Sequence, residues 1–97
     1  MLRKIQIDKP GGYDALKLVE QAMPIPADDQ VLIAVRACGV NYADGIIRMG
    51  LYASAKELHG YPITPGLELA GVVLQVGSAV TAYSPGDEVV ALTLFGG

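Results

Sequence analysis

Two short segments hold most of the side chains that could do chemistry: Cys38-Gly39-Val40-Asn41-Tyr42-Ala43-Asp44 and Thr64-Pro65-Gly66-Leu67-Glu68-Leu69-Ala70-Gly71. Between them lie Tyr52 and the single histidine, His59. A carboxamide such as that of Asn41 both donates and accepts hydrogen bonds, and a tyrosine joins a phenolic hydroxyl to a flat packing surface. Each of these residues also has a plainer reading. Asparagine is among the best helix N-caps, so Asn41 could cap without reacting. Asp44 sits where an acid in a first helical turn is favoured by the helix dipole. Cys38 ends an apolar run with no base or cation near it in sequence, so it reads as buried packing. Tyr42 opens a helical spacing and reads as core. Glu68 reads as an acid held in a structural pair, and His59 as a solvated or turn residue. One cysteine in the chain can form neither an internal disulfide nor a multi-thiolate zinc site.

The elements that must carry these residues are short. Residues 2–8 alternate and end at Pro10-Gly11-Gly12, which gives an edge strand and a turn. Residues 16–22 alternate again before Pro24 and Pro26 stop any ladder. The run Val31-Leu32-Ile33-Ala34-Val35-Arg36-Ala37-Cys38 is rich in β-branched residues and almost wholly apolar, the signature of a centrally buried strand. From Asn41 the period changes: Tyr42, Ile46 and Met49 recur at spacings of four and three, and Gly50 stands where helices often end, so a short helix is expected. Residues 51–65 have no sustained period and form a loop, with one helical turn expected over 54–58. Residues 67–76 form a further strand in which Gly71 allows a bulge or close approach. Ser84-Pro85-Gly86-Asp87 fits a type II turn, and residues 88–95 supply the last strand. Several short strands parted by turn signals, with one or two short helices, predict a mainly β (α+β) domain: a small, partly open β-barrel.

Composition narrows the function classes. Ninety-seven residues suit one domain, and a hydrophobic content of 52% suits an aliphatic core. Charges or turn residues break every apolar stretch short of the roughly 18 residues a membrane helix needs, and no secretory segment opens the chain. A soluble, cytoplasmic protein without a membrane partner is the expectation. A net charge of -3 with no cluster of Lys or Arg argues against nucleic acid.

In this frame the two chemistry-bearing segments resemble those of the medium-chain dehydrogenase/reductase superfamily. Its zinc-dependent members read roughly Cys-Gly-Val-Cys-His-Thr-Asp in the first segment and Gly-His-Glu in the second. The two ligand positions here are Asn41 and Leu67, and neither a carboxamide nor an isobutyl group replaces a thiolate or imidazole on zinc. The chain is therefore similar to the zinc-independent, zeta-crystallin-like quinone oxidoreductases. The match is anchored also by Arg48-Met49-Gly50-Leu51-Tyr52, Val76-Gly77 and Gly86-Asp87-Glu88-Val89-Val90. The resemblance covers residues 2–97 and implies the N-terminal, GroES-like substrate and catalytic domain. In the family a Rossmann domain follows, and this sequence contains no G-x-G-x-x-G fingerprint for one. The expectation is a single domain over residues 1–97, cut before its nucleotide-binding partner.

What the resemblance implies for function is NADPH-dependent reduction of quinones or activated enones without zinc, with NADPH held mainly by the missing domain. Asn41 matches the asparagine that the zinc-free branch places in the cleft, where it would bond the nicotinamide ribose or a substrate carbonyl. Tyr52 matches a cleft tyrosine that would contact substrate. Asp44 aligns with an acidic position common in the family and joins Asn41 on the cofactor side. One departure is Ile46, where many members carry a tyrosine. The family's frequent dimers leave a homodimer open for a longer polypeptide. This chain alone is expected to be inactive. The competing reading is a stand-alone GroES-like module that binds proteins and does no chemistry.

Overall fold

In the computed structural model, residues 1–53 and 59–93 are described. Their order is β1 (Leu2–Ile7), a 3-10 turn (Tyr13–Ala15), β2 (Leu16–Gln21), β3 (Val31–Cys38), α1 (Tyr42–Met49), β4 (Glu68–Val76) and β5 (Glu88–Leu92). β1 and β2 pair antiparallel from Leu2↔Gln21 to Ile7↔Leu16. The other three form an antiparallel sheet ordered β3-β4-β5. The mainly β, GroES-like architecture expected from the sequence is present, as a two-stranded and a three-stranded sheet that do not close into one barrel among the described residues. The helical turn expected over 54–58 and the end of the last strand at 94–95 lie outside the described residues. No helix among them is long and apolar enough to cross a membrane.

The core that fixes the site is a node of three isoleucines. Ile7 from β1, Ile47 from α1 and Ile63 from the loop before β4 are essentially inaccessible, and Ala15, Tyr52, Tyr61 and Leu67 pack around them. Burying an isoleucine fully is worth about 1.5–3 kcal/mol, so the node is the main adhesive between hairpin, helix and loop. Hydrogen bonds set its geometry. Ile7 N–H donates to the Ile63 carbonyl at 2.8 Å and Ile63 N–H donates back at 2.9 Å, a single antiparallel bridge that docks the hairpin onto the loop. The Tyr61 hydroxyl donates to the Ile47 carbonyl, and Gly11 N–H donates to the Arg48 carbonyl at 2.9 Å. Carbonyls at a helix C-terminus lack partners within the helix; the Gly11 bond supplies one to Arg48, and the Tyr61 hydroxyl adds a donor to the Ile47 carbonyl.

Gly71 fits β4 closely against β3. A Cβ there would collide with the Ala34 carbonyl oxygen and come within 2.7 Å of Ile33 Cγ2. The register slips beside this contact: Val35 faces Gly71 and Ala37 faces Ala70, so Arg36 is an extra residue in a bulge. The turn expected at residues 84–87 forms, with Gly86 at φ 98° and Asp87 N–H donating to the Ser84 carbonyl at 3.1 Å.

One expectation is corrected. Among the described residues β3 pairs with β4 alone, and β4 is the central strand. The first half of β3 is half-buried and the second half, Val35 to Cys38, is exposed. A β-branched run specifies an extended backbone, but its neighbours are set by the rest of the chain.

Two substitutions test this account. Gly71→Ala forces a methyl into backbone and should destabilise by about 1–3 kcal/mol. Tyr61→Phe removes the bond to Ile47 and should cost about 1 kcal/mol. Burial raises the Tyr61 phenol above its ordinary value, so its contribution is complete below the unfolded value near pH 10 and lost as pH rises through the folded one. Urea unfolding from about pH 7 to about pH 11 should show the wild type losing more stability at the alkaline end than Tyr61→Phe.

Candidate functional site

Helix α1 carries the candidate residues on its first turn, and its ends are built to hold it there. Asn41 is the N-cap, with an extended backbone, and Gly50 the C-cap, in the left-handed conformation at φ 78°. A left-handed C-cap favours glycine because it has no Cβ to clash. Gly50 N–H donates to the Ile47 carbonyl at 3.0 Å and Leu51 N–H to the Ile46 carbonyl at 3.1 Å. Asn41 and Asp44 form a capping box. In it, Asp44 Oδ2 accepts the Asn41 N–H at 2.8 Å; separately, the Asp44 N–H donates to the Asn41 main-chain oxygen at 3.0 Å and closes the first turn.

Asn41 and Asp44 therefore meet at one helix end. The Asn41 side chain is exposed while that of Asp44 is half-buried. Asp44 Oδ1 is enclosed without a hydrogen-bond partner, as is Arg48 Nε one turn further on. The Arg48 guanidinium lies 4.5 Å from the centre of the Tyr13 ring, a cation–π distance.

Tyr52 stands on the other side of an open groove of about 400 Å³ lined by Tyr42, Ala43, Ile46, Leu51, Tyr52 and Ala53. Its ring rests against the isoleucine node. The structure thus brings Tyr52 and the N-terminal turn of α1 to one groove. It places Asn41 one residue before the groove begins and Asp44 on the capping side of the turn, outside the lining.

Three plainer readings change here. Tyr42 is 87% exposed and cannot be core: the helix turns Ile47 inward, which leaves Tyr42 and Met49 exposed and Ile46 half-buried. Sequence reasoning set Tyr42 aside because period alone does not say which apolar stripe a helix buries. Cys38 is exposed at the end of β3 instead of buried. Glu68 is exposed, and its carboxylate rests on Gly39, where a Cβ would collide with it. His59 makes a turn contact, its Nδ1 donating to the Gly60 carbonyl at 2.7 Å. Among the described residues no group of three His, Cys, Asp or Glu side chains is placed to hold a metal ion.

Known proteins share this frame. Residues 27–96 match the alcohol dehydrogenase GroES-like domain. The chain belongs to that family. It is 46% identical over 90 residues to a quinone oxidoreductase of Lama guanicoe, covering 92% of this chain and 26% of the relative. It is 42% identical over 98 residues to the synaptic vesicle membrane protein VAT-1 homolog of Homo sapiens, covering 99% of this chain and 24% of that protein. The crystal structure of the Escherichia coli quinone oxidoreductase complexed with NADPH superposes with a TM-score of 0.83 at 36% identity, over 94% of this chain and 28% of that one. The GroES-like domain thus sits among quinone oxidoreductases of the medium-chain dehydrogenase/reductase superfamily, and it spans between 23% and 29% of the length of the curated relatives it matches.

The capping box is open to test by itself. Asp44→Ala removes the acceptor for Asn41 N–H and an acid from the first turn, and should destabilise by about 1 kcal/mol. Denaturant midpoints check this, with Asp44→Asn expected to recover much of the loss because its amide oxygen still accepts.

Proposed function

We propose that this chain is the N-terminal substrate domain of a zinc-independent, NADPH-dependent oxidoreductase that reduces quinones or activated enones. The observation carrying the reading is the occupancy of the two family metal positions. Asn41 caps α1 beside an apolar groove, and Leu67 packs against the isoleucine node. A half-buried leucine packed against that node offers a metal nothing, and a lone carboxamide offers it little.

NADPH, when bound, supplies a hydride to the conjugated acceptor; water supplies the accompanying proton, a quinone becomes a hydroquinone and NADPH becomes NADP+. The chain's own residues position and shield. The exposed Asn41 carboxamide, steadied by the capping box beneath it, donates to the acceptor carbonyl or to the nicotinamide ribose. Tyr52 contacts the acceptor with its ring, held in place by packing against Ile7, Ile47 and Ile63. Asp44 acts on the cofactor side by fixing the turn that carries Asn41. Alignment of the reacting carbons accounts for most of the rate in such a transfer, so side chains that orient are sufficient.

Adenosine and pyrophosphate contacts are assigned to a following nucleotide-binding domain, which makes the isolated chain inactive. Val90 at 85% exposure and Leu92 at 90% on β5 support this over a stand-alone module, because large exposed apolar residues ask for a cover. A cytoplasmic location and a homodimer complete the proposal for the longer polypeptide.

Asparagine and aspartate cap helices about equally well, but aspartate cannot donate. Asn41→Asp in the full-length protein should therefore keep its unfolding midpoint while kcat/KM falls about tenfold or more, as for loss of one hydrogen bond to a reacting group. Equal kcat/KM for the two proteins would reduce Asn41 to a cap. Prolonged chelation should leave quinone reduction by NADPH intact; loss of activity restored by zinc would overturn the zinc-free reading.

A further inference from the structure

Among the described residues, Tyr42 is exposed and Ile46 half-buried, and neither joins the isoleucine node. Tyr42 and Ile46, one turn apart on the same face, open onto the groove, while Ile47 alone enters the isoleucine node. The wall opposite is Leu51, Tyr52 and Ala53. Among the described residues no charged side chain lines the groove, and the side-chain polar groups there are the two phenols. Its volume of about 400 Å³ lies within the range of small-molecule sites, roughly 300–1,000 Å³. It starts at the residue after Asn41, so a carbonyl held by Asn41 would have the rest of its molecule directed along α1.

We propose that Tyr42 and Ile46 are specificity-determining residues that seat an apolar extension of the substrate, an alkyl or ring substituent beyond the conjugated carbonyl. This rests on the reductase reading above. A polar substituent would be stripped of water against Ile46 and Leu51 without a partner, which disfavours it, whereas each apolar carbon entering the groove gains free energy in proportion to the area it loses to water. Tyrosine at position 46 would set a hydroxyl into this wall and narrow it. Isoleucine keeps the wall apolar and the groove wide.

The test uses the full-length protein and a series of straight-chain alkyl vinyl ketones, from methyl to hexyl, with NADPH. A fully buried methylene is worth up to about fourfold. In a groove open on one side kcat/KM should rise about twofold per methylene. Tyr42→Ala and Ile46→Tyr should each flatten that rise, and Tyr83→Ala, outside the groove, should leave the slope unchanged. Tyr42 is exposed, so its truncation is not expected to disturb folding. A wild-type slope of zero, or one that neither groove variant moves, overturns the proposal while leaving the reductase reading intact. No turnover of any enone or quinone overturns that reading instead. In that event calorimetric binding of the saturated ethyl alkyl ketones still decides the groove, with affinity rising along the series expected and a flat series refuting it.

Discussion

Three isoleucines from three separate parts of the chain meet at one point, and most of what is specific about this structure follows from that meeting. Ile7, Ile47 and Ile63 are distant in sequence, so their contact closes long loops and must overcome the entropy of doing so. The reciprocal Ile7–Ile63 hydrogen bonds and the Tyr61 hydroxyl on the Ile47 carbonyl make the closure directional. Apolar burial alone would allow the helix to roll. With its C-terminal carbonyls tied to Gly11 and Tyr61, α1 holds one face inward, and the position of its first turn is set from the opposite end.

That coupling explains how a position proposed to contact substrate can double as a cap. An N-cap residue has an extended backbone and stands half outside the helix, so its side chain is at once anchored and accessible. At Asn41 the anchoring comes from Asp44, whose carboxylate takes the Asn41 N–H. A side chain intended to orient a substrate needs this kind of rigidity, since a displacement of about 1 Å at a hydride-transfer site costs far more than a weakened surface contact elsewhere. Positioning and folding thus share the same two residues, and a substitution such as Asn41→Ala would confound them.

Local chemistry made much of the fold legible. The proline and glycine punctuation at residues 10–12 and 84–87, the alternation in β1 and β2, and the pair Asn41 and Gly50 around α1 each rest on steric rules confined to a few residues, and each element stands where those rules put it. Gly71 was legible as a point of close approach for the same reason. What the sequence could not display was orientation. Tyr42, Ile46 and Met49 form a better helical stripe than Ile47, yet Ile47 is the buried one, because the hairpin and the loop at Ile63 approach from its side. Likewise the apolar run of β3 signalled a strand but not its place at the margin of the sheet, which depends on β4 pairing with both β3 and β5. The candidate site was legible in its residue types, Asn41 and Tyr52, while the groove that joins their neighbourhoods was not.

The groove and the exposed apolar residues of β5 bear on each other. Among the described residues the large, fully buried side chains are the three isoleucines of the node and Val73 of β4, while Val90 and Leu92 remain open to water. Tyr42 is open in the same way, but in a concave setting, where a molecule can remove more apolar surface from water than on a flat one. Flat and concave apolar surfaces call for different occupants: a sheet face is matched by another packed surface, whereas a groove bounded by Ile46, Leu51 and Tyr52 is matched by something the width of a single ring or chain. The exposure of Tyr42 beside a half-buried Ile46 is therefore consistent with ligand contact, while β5 is consistent with contact to another domain, and one isoleucine, Ile47, is what keeps the two faces of α1 distinct.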